Sequence, residues 1–348
     1  MRVSELMQVL EYIKLQGSLE VEVTEIEYDS RQVTEGSLFF CIPGSVRDGH
    51  EFAPEVVERG AGVLIVEHPV SVPEQITVLQ VPNARYAMGM MSSVFYGEPS
   101  KRLTVIGITG TKGKTTTAYM IQSMLEKTGH RTGLIGTIEI MDGVRTVPAA
   151  NTTPESVLLQ RTLRDMVKNG LDSVVMEVSS QGLMLDRVAG VDFDYGIFTN
   201  LSEDHIGPNE HASFEEYRGW KAKLFRLCRI GILNADDPYY EEMLAGHTCQ
   251  VVTYGRKPGL DYCANDWKLH SEDGHLGIEY RLSGKAEGRL MVNIPGKFSI
   301  YNSLSAVAVA NEMQVPFDVI QQVLTTVRVR GRVELIPISD ALDRKSKR

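Results

Sequence analysis

The sequence predicts an α/β protein in two parts. A small N-terminal α/β domain precedes a central P-loop domain with a mostly parallel sheet, helices on both faces and an appended antiparallel segment. Three observations carry this. An apolar run at 103–108 passes through the turn GTKGKTT (110–116) into a helical pattern. Strand-length apolar runs then alternate with helical segments to about residue 254. Residues 264–294 switch to a period of two, broken by glycine-containing turns. At 348 residues the chain exceeds what one core usually supports, so two domains are expected.

Each element has its own signal. Residues 1–14 place apolar side chains at helical spacing and are expected to form an amphipathic helix. β-type runs at 20–28, 37–42, 62–66 and 76–81 alternate with helical runs at 51–59 and 84–95, and 97–102 is a polar break. The domains are therefore expected at 1–98 and 99–335. In the second, strands are expected at 105–109, 133–136, 173–178, 195–199, 230–233 and 250–254. The run at 173–178 is apolar on both faces, as a parallel strand covered by helices should be. Met120, Ile121, Met124 and Leu125 form one stripe after the glycine turn, with Gly129 as a C-cap. Residues 267–270, 277–282 and 289–294 read as antiparallel strands, and 301–312 as an Ala/Val-rich helix.

Composition narrows the function. A net charge of −9 argues against a broad nucleic-acid-binding face. Cys41, Cys228, Cys249 and Cys263 are scattered without a C-x-x-C pair, which points to reduced buried thiols rather than zinc or a disulfide framework. The N-terminus lacks the apolar core of a signal peptide, and no run approaches a membrane span. A cytoplasmic enzyme without nucleic-acid, membrane or obligate protein partners is expected.

The chemistry concentrates at strand ends. Strand, glycine turn, Lys-Thr and helix is the order that holds nucleotide phosphates: backbone N–H groups and the helix dipole face the anion, Lys114 adds a point charge, and the Thr115 hydroxyl can ligate Mg²⁺. The turn is shorter than the full G-x-x-x-x-G-K-[ST] loop counted from Gly110, and counting from Gly107 does not restore the spacing. The strand-to-helix context carries the reading. Glu177 ends a buried strand, where an acid can reach a metal in the same crevice or simply cap a helix. His205 follows another strand end, and two Mg²⁺ ions would suit phosphoryl transfer onto an anionic acceptor. Lys221 lies in a helical stretch where a lysine is ordinarily a solvated face residue.

Taken in order, these segments resemble the Mur ligase superfamily, ATP-dependent amide-bond formers of peptidoglycan synthesis. The motifs are 110–116, NTTP at 151–154, MEVSS at 176–180 with Arg187, TNL at 199–201 with Asp204 and His205, Tyr217 with Lys221, NADDP at 234–238, GKF at 296–298 with Tyr301 and Asn302, and GRVE at 331–334. DSR at 29–31, GSLFF at 36–40 and DGH at 48–50 resemble the MurE-type branch, which adds the third stem-peptide residue to UDP-N-acetylmuramoyl-alanyl-glutamate.

The resemblance implies roles for named residues. Gly110, Thr111, Lys112, Gly113, Lys114, Thr115 and Thr116 would hold the ATP phosphates, and Asn234, Asn302 and Arg332 the rest of the nucleotide. Thr115 and Glu177 would bind one Mg²⁺ and His205 a second, with Lys221 carbamylated. A carbamate replaces a cation near Mg²⁺ with an anion. Lys114, Lys221 and His205 would serve catalysis. Ser30, Thr152, Thr153, Ser179 and Arg187 would contact the UDP-sugar-dipeptide, whose carboxylate would form an acyl phosphate for attack by a free diamino acid. Lys112 and the 204–211 segment look more like lysine-adding than diaminopimelate-adding members, with either amino acid open. Family members continue into a third domain that binds this amino acid. The resemblance thus implies a chain lacking it, residues 336–348 being its truncated start, with impaired ligase activity. A folylpolyglutamate synthase-like ligase is an alternative, against which the N-terminal domain speaks. A non-catalytic nucleotide- and UDP-substrate-binding fragment is another.

Overall fold

The computed structural model describes residues 1–44, 47–204, 206–207, 210–272 and 275–329. Its first sheet contains β1 (Ile13–Gln16), β2 (Glu25–Glu27), β3 (Ser37–Phe40), β4 (Ala61–Val66) and β5 (Thr77–Gln80), ordered β1-β5-β4-β3-β2. β2 to β5 pair in parallel, and β1 closes one edge antiparallel to β5. Helices α1 (Val3–Leu6) and α3 (Ala84–Phe95) cover one face, and α2 (Ala53–Glu58) covers the other. Alternation along the strands serves both layers: Leu38, Phe40 and Ile65 pack toward α3, Phe39, Leu64 and Val66 toward α2.

Two expectations for this region need correction. Residues 1–14 are not one helix. The amphipathic stripe buries Val3, Leu6 and Met7 through α1 and a following 3₁₀ turn, after which the chain straightens into β1. Backbone pairing of Ile13 and Lys14 with Gln80 and Leu79 overrides the helical pattern. The strand expected at 20–28 shrinks to β2, because Val21 and Val23 hydrogen-bond instead to Val3 and Met1.

The second sheet has eleven strands: β6 (Thr104–Thr109), β7 (Thr132–Ile135), β8 (Glu139–Met141), β9 (Thr146–Pro148), β10 (Ser173–Glu177), β11 (Phe193–Phe198), β12 (Cys228–Asn234), β13 (Gln250–Gly255), β14 (Tyr262–Glu272), β15 (His275–Gly284) and β16 (Gly288–Val292). Across the sheet the order is β16-β15-β14-β13-β12-β11-β6-β10-β7-β8-β9. Pairing is parallel from β7 to β14 and antiparallel at both margins. The β14–β16 margin follows the sequence pattern. The β8–β9 margin has no comparable signal, being two three-residue strands, the outer one exposed and ending in proline.

Helices α4 (Lys114–Lys127), α9 (Phe298–Glu312) and α10 (Phe317–Thr326) pack on one face. Helices α5 (Ser156–Lys168), α6 (Ser180–Met184), α7 (Phe214–Ala222) and α8 (Tyr240–Met243) supply the opposite one. In β6 this splits Ile106 and Ile108 from Val105. α9 packs closely on α4, where Thr117 meets Ser305 Oγ at 3.4 Å, and its Ser303 faces Tyr280 of β15 at 2.9 Å. The two sheets are joined where α3 lies along α5, and Arg161 of α5 donates to Glu25 and Glu27 of β2 at 3.1 and 3.2 Å.

Gly107, Gly196 and Gly231 stand side by side on β6, β11 and β12. The space above them is filled by Phe193, Leu224, Phe225, Cys228 and Cys249. A methyl group at Gly107 would come within 2.7 Å of the Phe193 ring. Gly107→Ala is therefore expected to destabilise the protein by about 1–3 kcal/mol through overpacking. Equilibrium urea unfolding checks this, and an unchanged midpoint would contradict it.

Candidate functional site

The GTKG turn leaves the end of β6 and enters α4 at Lys114. Gly113 has φ +90°, and a Cβ there would sit 2.3 Å from Asn302 Oδ1, so backbone conformation and space both demand glycine. The segment after β11 clamps the turn. Thr199 Oγ1 and Asn200 Nδ2 donate to the Lys112 carbonyl at 2.7 and 2.9 Å, and Asn200 Oδ1 accepts from the Lys112 N–H at 3.0 Å. Residues 111–116, Thr137, Glu177, Asn200, Ile294, Phe298 and Asn302 line a cavity of about 590 Å³. An anion here meets a helix N-terminus and a lysine.

Glu177 is the last residue of β10 and only 1% exposed. Its Oε1 accepts from Thr115 Oγ1 at 2.9 Å and Thr137 N at 3.0 Å, and its Oε2 from Thr137 Oγ1 at 3.0 Å. Parallel pairing of β10 with β6 brings the carboxylate to the phosphate turn. A carboxylate beside a hydroxyl at the cavity wall is a hard oxygen donor set of the kind Mg²⁺ takes. Thr137 was not singled out in the sequence, although it follows a third strand end, that of β7, on the same edge.

Two lysines share one acceptor. Lys114 Nζ donates to the carbonyls of Gly110 (2.9 Å) and Thr111 (3.1 Å), and Lys221 Nζ to Gly110 at 3.1 Å. Lys221 does not occupy a solvated face. It is 2% exposed, with its ammonium 4.4 Å above the Tyr217 ring. Burial, and then the charge of Lys114, hold its amine well below the usual lysine range, against the opposing pull of Asp204.

The remaining residues fall into three places. Thr152 and Thr153 adjoin Glu177: Thr152 Oγ1 is 3.0 Å from Thr137 Oγ1, and Thr153 Oγ1 donates to the Glu177 carbonyl at 3.1 Å. Ser179 bonds Thr153 and caps α6 through Gly182 N at 3.0 Å, and Arg187 Nη1 donates to the Thr153 carbonyl at 3.0 Å. Asn234 stands behind the turn, its amide engaged by the Thr199 carbonyl (2.8 Å) and Asp236 N (3.1 Å). Ser30 belongs to a separate cavity of about 600 Å³ on the first sheet, with Tyr28, Phe39, Arg47 and Phe52 among its walls. His205, Arg332, the GRVE motif and residues 336–348 lie outside the described residues. Among the described residues no helix is long and apolar enough to cross a membrane.

A parallel sheet with a phosphate turn, a strand-end carboxylate and a buried lysine on one edge has the architecture of a phosphate-binding α/β protein. Residues 108–310 match the model of the Mur ligase middle domain, and 22–96 that of the Mur ligase family, catalytic domain. The chain belongs to the Mur ligase family. It is 41% identical to the UDP-N-acetylmuramoyl-L-alanyl-D-glutamate–2,6-diaminopimelate ligase of Clostridium perfringens, over 95% of this chain and 68% of that protein. The corresponding ligase of Geobacillus kaustophilus is 41% identical over 90% of this chain and 65% of its own length. Among solved structures, a UDP-N-acetylmuramoyl-L-alanyl-D-glutamate–2,6-diaminopimelate ligase superposes with a TM-score of 0.81 at 22% identity, covering 97% of this chain and 69% of that one. MurF from Acinetobacter baumannii gives 0.68 at 21%, covering 97% and 71%. A folylpolyglutamate synthase of Mycobacterium tuberculosis gives 0.57 at 17%, covering 72% and 64%. At such identities these structures share the fold.

The buried lysine has a pH signature. With the folded-state pKa depressed, the unfolded chain binds the extra proton, so stability rises with pH between the folded value and the unfolded value of about 10.4. In bicarbonate-free buffer, wild type is expected to gain unfolding free energy relative to Lys221→Met as pH rises through this window. Denaturant melts at several pH values check it, and a pH-independent difference would contradict it.

Proposed function

We propose that this chain carries the UDP-substrate and ATP sites of a ligase that adds meso-diaminopimelate to UDP-N-acetylmuramoyl-L-alanyl-D-glutamate. The observation that carries the reading is the convergence of the phosphate turn, Glu177 and Lys221 beside Thr152 and Thr153, with a second cavity on the first sheet. The relatives described above are named for diaminopimelate, which favours it over the lysine suggested by Lys112 and the 204–211 segment.

In this reading residues 110–116 cradle the ATP phosphates, Lys114 neutralises them, and Asn302 with Asn234 and Arg332 serves the nucleoside end. Thr115 and Glu177 would hold Mg²⁺, which supplies charge neutralisation at the phosphates. Lys221, whose amine burial holds well below the usual lysine range, would take up CO₂ once neutral, and its carbamate with His205 would serve a second ion. Ser30 sits at the nucleotide end of the UDP-sugar-dipeptide, and Thr152, Thr153, Ser179 and Arg187 at the peptide end. The dipeptide carboxylate attacks the γ-phosphorus, giving an acyl phosphate and ADP. The incoming amine then displaces inorganic phosphate to leave the amide. The chain's own contribution is positioning and electrostatics. A division near residue 98 and a cytoplasmic location, where soluble UDP-sugar precursors and ATP coexist, belong to the same reading.

Thermal unfolding with added ligand tests it. At a hundredfold excess over Kd, a ligand that binds only the folded state stabilises by about 2.7 kcal/mol. UDP-N-acetylmuramoyl-L-alanyl-D-glutamate is expected to raise Tm, and Arg187→Ala to abolish most of the rise. Dihydrofolate is expected to leave Tm unchanged. A shift with the folate alone, or with neither compound, would overturn the proposal.

A further inference from the structure

Glu155 is the N-cap of α5, directly after the Thr152-Thr153-Pro154 turn. As the helix's N-cap residue it makes no side-chain cap hydrogen bond, so its carboxylate is not spent on the helix. Each oxygen instead meets an arginine from a different part of the molecule. Oε1 lies 2.7 Å from Arg187 Nη2, and Oε2 lies 3.4 Å from Arg85 Nη1 on α3. The Glu155 side chain is 17% exposed and that of Arg187 12%, so the stronger pair is largely withdrawn from water.

The pair closes a ring. Arg187 Nη1 donates to the Thr153 carbonyl while Nη2 is ion-paired with Glu155, two residues on. Two fixed points set the plane of the guanidinium, and its Nε is buried without a hydrogen-bond partner among the described residues. Thr153 is itself pinned to the Glu177 carbonyl. The next residue back from Arg187, Asp186, accepts from Asn83 Nδ2 at the start of α3 (3.0 Å) and from Lys223 Nζ in the turn after α7 (2.6 Å). Tyr28, a wall of the first-sheet cavity, also feels Glu155: its phenol is pushed up by burial and then by that carboxylate. Glu155 thus faces Arg187 and Arg85 and lies within electrostatic reach of the first-sheet cavity's Tyr28.

We infer that Glu155 is a positioning residue for the UDP-sugar-dipeptide: it orients Arg187 against Thr153 and ties that arginine to the first sheet through Arg85. The inference rests on reading Thr153 and Arg187 as contacts to that substrate. Among the described residues no hydrogen bond joins Glu155 to the phosphate turn, so its effect is expected to fall on the UDP-sugar-dipeptide and not on ADP. Glutamine at this position keeps the shape but removes the charge and turns an N–H group against the guanidinium. Aspartate keeps the charge on a shorter arm.

Calorimetric titration of the same preparations with UDP-N-acetylmuramoyl-L-alanyl-D-glutamate and with ADP tests this. Glu155→Gln is expected to weaken the UDP compound about tenfold and ADP less than about twofold, with Glu155→Asp between wild type and Gln. In an Arg187→Ala background, Glu155→Gln is expected to have no further effect, because one residue acts through the other. Unchanged affinity in Glu155→Gln, equal losses for both ligands, or additive losses in the double variant would overturn the inference. Should Glu155→Gln not fold, Glu155→Asp and Arg85→Ala carry the comparison, and wild-type affinity in both would overturn it. Wild type failing to bind the UDP compound is a separate outcome, which removes the parent reading and this one with it.

Discussion

The register of β6 between β10 and β11 is the constraint on which the rest depends. Gly107 pairs with Met176 on one side and Gly196 on the other, so the three strands end together. From those ends issue the phosphate turn, Glu177 and the Thr199–Asn200 clamp. A slip of one residue would turn Glu177 onto the other face and break its bonds to Thr115 and Thr137. Burial on both faces makes such a slip costly, since Ile106 and Ile108 would exchange layers with Val105. The glycine row across β6, β11 and β12 serves the same end, admitting Phe193 and Leu224 against the sheet.

Electrostatics at the turn are set up for an anion. Two lysines approach the single carbonyl of Gly110, and burial holds the pKa of one of them, Lys221, well below the usual lysine range. Without a bound phosphate their mutual repulsion is only partly offset by Asp204 and backbone dipoles. A polyphosphate entering the cavity would relieve that repulsion, as would a carbamate on Lys221. The carboxylate of Glu177 is meanwhile held by three donors at the cavity wall.

Much of this was legible from the letters because it is local. Gly113 and Lys114 must lie between a strand and a helix for the turn to work, and Glu177 ends a run too apolar to be anything but a buried strand. Family resemblance, rather than pattern, drew Lys221 out of a helix that reads as solvated; its burial depends on α7 packing over the turn. What escaped was non-local or weakly marked. Ile13–Gln16 becomes a strand only because β5 offers an edge, and β8 and β9 are too short for periodicity to register. Thr137 and Glu155 carry no motif of their own. Their importance appears once β7 is set beside β10 and α3 beside α5.

If Glu177 and the phosphate turn form one metal-and-triphosphate crevice, Mg²⁺ held there must strengthen nucleotide binding. The most direct measurement is the affinity of a non-hydrolysable ATP analogue with and without Mg²⁺, in wild type and in Glu177→Gln. Mg²⁺ should tighten binding to wild type by about tenfold or more and leave the variant almost unaffected. An equal Mg²⁺ gain in both proteins would contradict the claim.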